Sequence, residues 1–161
     1  SLQAQKVEVG RWLDRIIEYL REGLDASNVD LITRFDHRGP VHIDADRLRR
    51  VVINIAGNSA DAIPQGGRLT ISSRVVGDSW ELAVTDTGTG IPEQLRPRIV
   101  EPFVTSGKEH GTGLGLAIAR EIVRGHGGDI QVETRTEGEE EGRPAGSTFI
   151  ISLPLSGVAA E

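Results

Sequence analysis

The chain of 161 residues has no cysteine, no methionine, few aromatics and no long apolar run. Without cysteine, disulfide staples and thiolate metal sites are excluded, and the composition suits a reducing, cytoplasmic setting. Without methionine, Ser1 is not expected to be a translational start, and the chain is expected to be a piece of something longer. No stretch approaches the roughly 20 apolar residues needed to span a bilayer, and no signal-peptide pattern opens the chain, so no direct membrane contact is expected. The charge balance, 18 basic against 24 acidic residues, is −6 with no long basic run. That disfavours a surface built to neutralise phosphate backbones or anionic lipid, and no nucleic-acid partner is expected. Apolar residues at 37% are enough for one core, and the length suits a single domain over residues 1–161.

What is abundant is glycine, with 20 residues and a dense share between Gly88 and Gly128. Such clustering marks backbone that turns sharply or approaches something closely. Around it the periodicity is clear. Residues 11–24 carry Leu13, Ile16, Ile17, Leu20 and Leu24 at helical spacing. Residues 29–35 and 41–43 read as short strands, and Asp44 as the N-cap of a second helix running to about Ile63. A hairpin over residues 68–76 and 79–86 turns at Gly77-Asp78, with Leu69, Ile71 and Val75 on one face and Trp80, Leu82 and Val84 on the other strand's matching face. A short helix near residues 93–98, a third helix over 114–125 and strands over 129–134 and 147–153 complete the pattern, with residues 1–8 as a linker. The acidic turn over residues 137–146 reads as a solvated hairpin tip. The sum is an α+β two-layer sandwich, a sheet with helices on one face.

Three blocks carry chemistry. On the second helix Asn54, Asn58 and Asp61 share a flank of the apolar stripe. Asparagine is a mediocre helix former, so the pair is either a set of surface amides or a set of hard, neutral oxygen ligands for Mg²⁺. At the end of the second hairpin strand, parity places Asp86 on the core face beside Leu82 and Val84. A carboxylate there needs a donor: either the turn at Gly88 or the amino group of an adenine. Third, Gly111-Thr112-Gly113-Leu114-Gly115-Leu116 opens a helix, where backbone N–H groups make a phosphate site. Its spacing fits neither the dinucleotide fingerprint nor the P-loop.

Together these blocks resemble the catalytic domains of histidine kinases in the GHKL ATPase superfamily. Residues 54–62 are similar to the asparagine box and Asp86-Thr-Gly-Thr-Gly90 to the first glycine box. Glu101-Pro-Phe103 with Thr105 and Lys108 looks like the phenylalanine box, and residues 111–116 like the second glycine box. Gly146-Ser-Thr148-Phe149 and Leu153-Pro154 resemble the closing strand. The blocks run in order over residues 44–154, and the Asn58-Ser-Ala-Asp-Ala stretch resembles the nitrogen-regulation branch of sensor kinases.

The resemblance implies a Bergerat-type fold, a mixed, mostly antiparallel sheet backed by helices, with ATP and Mg²⁺ as cofactors. It implies Asn58 as the principal Mg²⁺ ligand with Asn54 assisting, and Asp86 on the adenine amino group. Gly88 and Gly90 would shape the pocket, Ile91, Ala62, Leu116 and Phe149 would line it, and Thr148 would meet the base. Lys108 and the backbone at Gly111, Thr112, Gly113, Leu114 and Gly115 would hold phosphates under a lid of residues 103–112, with Arg98 and Arg120 as further phosphate candidates. Asp61 is expected to face solvent or pair with Arg68.

In ATP-hydrolysing relatives a glutamate four residues before the metal-binding asparagine activates water. Here that residue is Asn54, which cannot act as a base, so transfer to a histidine is expected instead. None of His37, His42, His110 and His126 stands in a His-Glu or His-Asp acceptor context. His37 and His42 read as surface residues, His110 as part of the lid, and His126 as a cap on the carbonyls ending the third helix. The partners implied are a histidine-bearing dimerisation domain of the parent kinase and a response regulator. An anti-sigma-type serine kinase and a nucleotide-binding module without turnover are the alternatives.

Overall fold

A computed structural model describes residues 1–98 and 115–157. Strand β1 (Gln5–Glu8) leads into helix α1 (Val9–Leu24), then β2 (Val29–Phe35), β3 (Pro40–Ile43), α2 (Ala45–Asp61), β4 (Gly67–Val76) and β5 (Ser79–Asp86). A 3-10 turn at Glu93–Arg98 precedes α3 (Gly115–Gly125), β6 (Asp129–Arg135) and β7 (Gly146–Pro154). Residues 1–8 are more than a linker: β1 pairs antiparallel with β3, from Gln5 opposite Ile43 to Glu8 opposite Pro40. Its four residues include one apolar side chain, Val7, so the backbone ladder rather than a buried face defines it.

Helix α1 begins two residues earlier than its periodicity suggests. The N–H groups of Val9 and Gly10 donate to the carbonyls of Gly39 and Arg38 at 3.0 and 2.9 Å, which satisfies donors that a helix start leaves open. Trp12, Leu13, Ile16, Ile17 and Leu20 form its buried stripe. Helix α2 is capped as expected, the Asp44 carboxylate accepting from the Arg47 N–H at 3.2 Å, and it buries Leu48, Val51, Val52, Ile55, Ala56 and Ser59.

The main sheet runs β2-β4-β5-β7-β6. Strands β2 and β4 are parallel and every other neighbouring pair is antiparallel, so the mixed, mostly antiparallel sheet stands as expected. The helices cover one face. Toward them point Leu69, Ile71 and Ser73 of β4, Trp80, Leu82 and Val84 of β5, and Phe149, Ile151 and Leu153 of β7, all buried. Val75 shares the face of Leu69 and Ile71, opposite Trp80 in the register, but lies at the hairpin end and is 39% exposed. Among the described residues no helix is long and apolar enough to cross a membrane.

Two tryptophans organise the centre. Trp80 is fully buried and meets Trp12 edge to face, with centroids 6.3 Å apart. The Trp80 indole N–H donates to Ser73 Oγ at 2.8 Å, and Ser73 in turn donates to the His37 carbonyl at 2.8 Å. Trp12 donates to the Ala45 carbonyl at 3.2 Å, tying α1 to the start of α2. Replacing Ser73 by alanine leaves the Trp80 N–H unpaired in a dry core, which costs about 1–3 kcal/mol. Urea unfolding of Ser73→Ala is therefore expected to show a lower midpoint with an unchanged slope, and an unchanged midpoint would remove Ser73 from the account.

Candidate functional site

The site lies where the C-terminal half of α2 meets the end of β5 and the start of α3. Alternation along β5 carries Asp86 to the helix-covered face as the last member of a file of Trp80, Leu82 and Val84, and Asp86 is 4% exposed. Its register partners are Leu69 on β4 and Ser147 on β7. One carboxylate oxygen accepts from the Gly88 N–H at 2.8 Å, so the turn-capping expectation for Asp86 holds. The glycines that follow are needed by the protein's own packing. A Cβ at Gly88 would lie 2.6 Å from the Ala62 carbonyl oxygen, and Gly90 has φ +78 with its α-carbon against the Arg135 backbone. Thr87 accepts from the Arg68 N–H at 3.0 Å, closing the loop onto the start of β4.

On α2, Asn54 and Asn58 are half-buried on one flank, as is Ala62, which caps the helix. Gly115, at the start of α3, sits so close to the Asn54 amide that any Cβ there would collide with it. The structure thus brings the asparagine helix and the end of the second glycine block into contact. One residue past Asn58, the Ser59 hydroxyl is buried and has no hydrogen-bond partner among the described residues. Leu116 and Ile91 are half-buried against the core and Phe149 is inside it.

Several expected members sit elsewhere. Thr148 alternates away from Asp86 and bonds Thr85 across the open face of the sheet at 3.0 Å. The residue on the Asp86 side is Ser147, 7% exposed, and period-2 alternation with Phe149 and Ile151 carries that signal. Ser147 belongs to a chain of hydroxyls: the Ile91 N–H donates to Thr134 Oγ1 at 2.8 Å, and Thr134 meets Ser147 Oγ at 2.8 Å. Thr134 has no local signal, since its partners lie 43 positions away on the Ile91 loop and 13 positions away on β7. Arg120 is committed to Asp129, at 3.1 and 3.4 Å through two nitrogens, rather than left for a phosphate. Asp61 is exposed, with no ion pair to Arg68 among the described residues. Lys108, Gly111, Thr112, Gly113 and Leu114, the phenylalanine block (Glu101, Phe103, Thr105) and His110 lie outside the described residues, as does the Arg98 side chain.

The loop at Ile91 is held from a second side. Arg96 donates to the Ile91 carbonyl at 3.0 Å and forms a two-pronged ion pair with Glu139 of the acidic hairpin turn. The Arg96 hydrogen bond, with others from Thr136, holds the Glu139 carboxyl down to about 2. The acidic turn is therefore a clamp as well as a solvated tip.

Residues 43–157 match the family described as "Histidine kinase-, DNA gyrase B-, and HSP90-like ATPase". The chain belongs to this family. Within it, the chain is similar to the sensor histidine kinase ZraS of Escherichia coli (strain K12), 33% identical over 156 residues, which are 96% of this chain and 32% of ZraS. The nitrogen regulation protein NtrY of Azorhizobium caulinodans is 35% identical over 129 residues, 76% of this chain and 16% of NtrY. The chain thus spans about a third or less of these relatives. Among solved structures, the nucleotide-free catalytic domain of the histidine kinase ThkA superposes with a TM-score of 0.83 at 29% identity, covering 96% of this chain and 97% of that one. ThkA has also been solved in complex with the response regulator TrrA, with a TM-score of 0.79 at 27% identity over 96% of this chain and 42% of that one. The α+β sandwich is that of the histidine-kinase catalytic domains.

The Arg120 pairing has a pH signature. Arg120 first, then the Ile130 N–H and Arg124, hold the Asp129 carboxyl at about 2, against an ordinary 3.8. The group therefore stabilises the fold above about pH 4, and this contribution disappears as pH falls toward 2. Because the pair is partly exposed, it is worth at most about 1 kcal/mol. Urea midpoints measured from pH 5 to pH 2 should fall less steeply in Asp129→Asn than in the wild type, and parallel curves would mean the pair contributes nothing.

Proposed function

We propose that this chain is the ATP-binding catalytic domain of a sensor histidine kinase of the nitrogen-regulation type, transferring the γ-phosphoryl of Mg²⁺-ATP to a histidine on a separate acceptor domain for relay to a response-regulator aspartate. The observation that carries the reading is the pairing of Asn54 with Gly115. At the position where hydrolysing relatives place a glutamate, this chain has an amide, held against the start of the glycine-opened helix. An amide cannot take a proton from water, and phosphoryl transfer to an imidazole needs no such base, only alignment and charge neutralisation. The similarity to NtrY supports the branch, and the complex of ThkA with TrrA supports a response regulator as downstream partner.

The residues present fit a magnesium nucleotide. Asn58 and Asn54 offer neutral amide oxygens of the kind Mg²⁺ accepts alongside phosphate and water. Asp86, fixed by the Gly88 N–H, is assigned to the adenine amino group, with Ser147 beside it in place of Thr148. Ala62, Ile91 and Leu116 are assigned to the apolar walls, and the buried Ser59 hydroxyl is a polar atom that a bound molecule or water would satisfy. Gly88 and Gly90 act by keeping the loop close to α2 and β6. Lys108 and the N–H groups of residues 111–115 are assigned to the phosphates, where a cation and a helix start both favour anions. When bound, Mg²⁺-ATP supplies the phosphoryl group and the charge that shields it. The chain orients the nucleotide from Asp86 at one end and Asn54, Asn58 and Lys108 at the other.

Calorimetric titration with a non-hydrolysable ATP analogue, with and without Mg²⁺, tests the site. Binding by the wild type should depend on Mg²⁺. Losing a hydrogen bond to a charged group is worth about 1.5–3 kcal/mol, or roughly 10- to 100-fold in affinity. Asp86→Asn should lose that much at any metal concentration, whereas Asn58→Ala should lose the metal-dependent part. Unchanged Asn58→Ala binding would overturn the metal assignment. With ATP and an added histidine-bearing helical domain, acid-labile phosphate on that domain is expected. Acid-stable phosphoserine on an anti-sigma antagonist, or tight binding with neither product, would replace the kinase reading with one of its two alternatives.

A further inference from the structure

His126 follows α3 and is 3% exposed, yet both of its ring nitrogens are used. The Asp44 N–H donates to Nε2 at 2.9 Å, across 82 positions in sequence. Nδ1 stands 2.9 Å from the Ile122 carbonyl oxygen. Since Nε2 accepts, the neutral ring carries its proton on Nδ1 and donates it to Ile122. At the first end of α2 this imidazole does what the third residue of a capping box does, accepting from the N-cap N–H. Here that third residue is Arg47, which has no acceptor to offer. Asp44 itself is 5% exposed, and its carboxylate also accepts from the Gln3 N–H at 2.9 Å, so the N-terminal segment is tied to the same point.

The consequence lies at the other end of the helix pair. Asp44 and Asn54 are ten positions apart along α2, and Gly115 and His126 eleven apart along α3. At about 1.5 Å per residue these spans are roughly 15 and 16 Å, so two antiparallel helices in contact at Asp44–His126 are also in contact at Asn54–Gly115. Two α3 side chains, Ala119 and Val123, are fully buried, and Leu116 and Ile122 pack partly buried against the core. Apolar contacts resist axial sliding without fixing a single position, whereas a slip of one residue, about 1.5 Å, breaks a directional hydrogen bond outright. We propose that His126 is a positioning residue, a pin whose bond to the Asp44 N–H sets the axial register of α3 on α2 and so holds Gly115 against Asn54. Its expected effect on nucleotide affinity rests on the kinase reading. The register itself does not.

Nuclear magnetic resonance on the 161-residue chain tests the register without nucleotide. The wild type should show His126 with Nδ1 protonated and Nε2 bare, and an Overhauser contact between the Gly115 α-protons and the Asn54 side-chain amide. His126→Phe should lose that contact. His126→Gln, whose side-chain oxygen still accepts from the Asp44 N–H, should keep it, and Val123→Ala should keep it despite a lowered Tm. Titration with the Mg²⁺-ATP analogue should follow the same division, with His126→Phe weakened about tenfold, the scale of one lost hydrogen bond, and the other two near wild type. A protonated Nε2 in the wild type, a contact retained in His126→Phe, or an equal loss in Val123→Ala would each overturn the pin. The tautomer is read on the wild type, so the proposal stays decidable if a variant does not fold. Failure of the wild type to bind the analogue would count against the kinase reading alone.

Discussion

The two-residue alternation of β5 is the constraint on which the rest of the domain hangs. Every second side chain from Trp80 to Asp86 is buried beneath the helices, and the first three members of that file are apolar. Sliding the strand by one residue would turn Glu81, Ala83 and Thr85 inward and the tryptophan outward, so the register has no near competitor. Because the hydrophobic file specifies the register so strongly, it can carry a carboxylate at its end. Asp86 is buried because Trp80, Leu82 and Val84 are, and the Gly88 N–H makes that position tolerable. The residue proposed to meet the adenine is thus placed by packing that would take no part in the proposed chemistry.

Helix α2 shows the same economy on the other side of the layer. One face supplies Leu48, Val51, Val52 and Ile55 to the core, and the flank beside it presents Asn54 and Asn58. A single rigid cylinder therefore fixes both amides relative to one another, and its packing on the sheet sets them relative to Asp86. The glycines serve this closeness from the opposite side. Gly88 lets the loop after β5 rest on the end of α2, and Gly115 lets α3 touch Asn54.

Much of this was legible in the chain because the signals are local. The helical stripe of α1, the Asp44 cap of α2, the hairpin at Gly77 and the inward parity of Asp86 each depend on residues within a turn or a strand of one another. What was not legible depends on partners far apart in sequence. Strand β1 has one apolar residue in four and exists because β3 offers a free edge. Arg120 looked available until Asp129 came beside it. Thr134 earns its place from Ile91 and Ser147, which lie 43 and 13 positions away. Thr148 is a different case: the parity that located Asp86 also applies to β7, and it singles out Ser147 as the inward residue.

The loop at Ile91 hangs between two anchors of unlike character. On one side the Thr134–Ser147 hydroxyl chain is neutral and half-buried, so dissolved ions barely reach it. On the other the Arg96–Glu139 pair is partly exposed, and its attraction fades as the Debye length shortens from about 10 Å at 0.1 M to 3 Å at 1 M salt. Ionic strength therefore acts on this loop unevenly, loosening its outer edge while the edge nearest Asp86 stays where it is. A wall of the candidate site is thus coupled to the salt content of its surroundings through an ion pair at its outer edge.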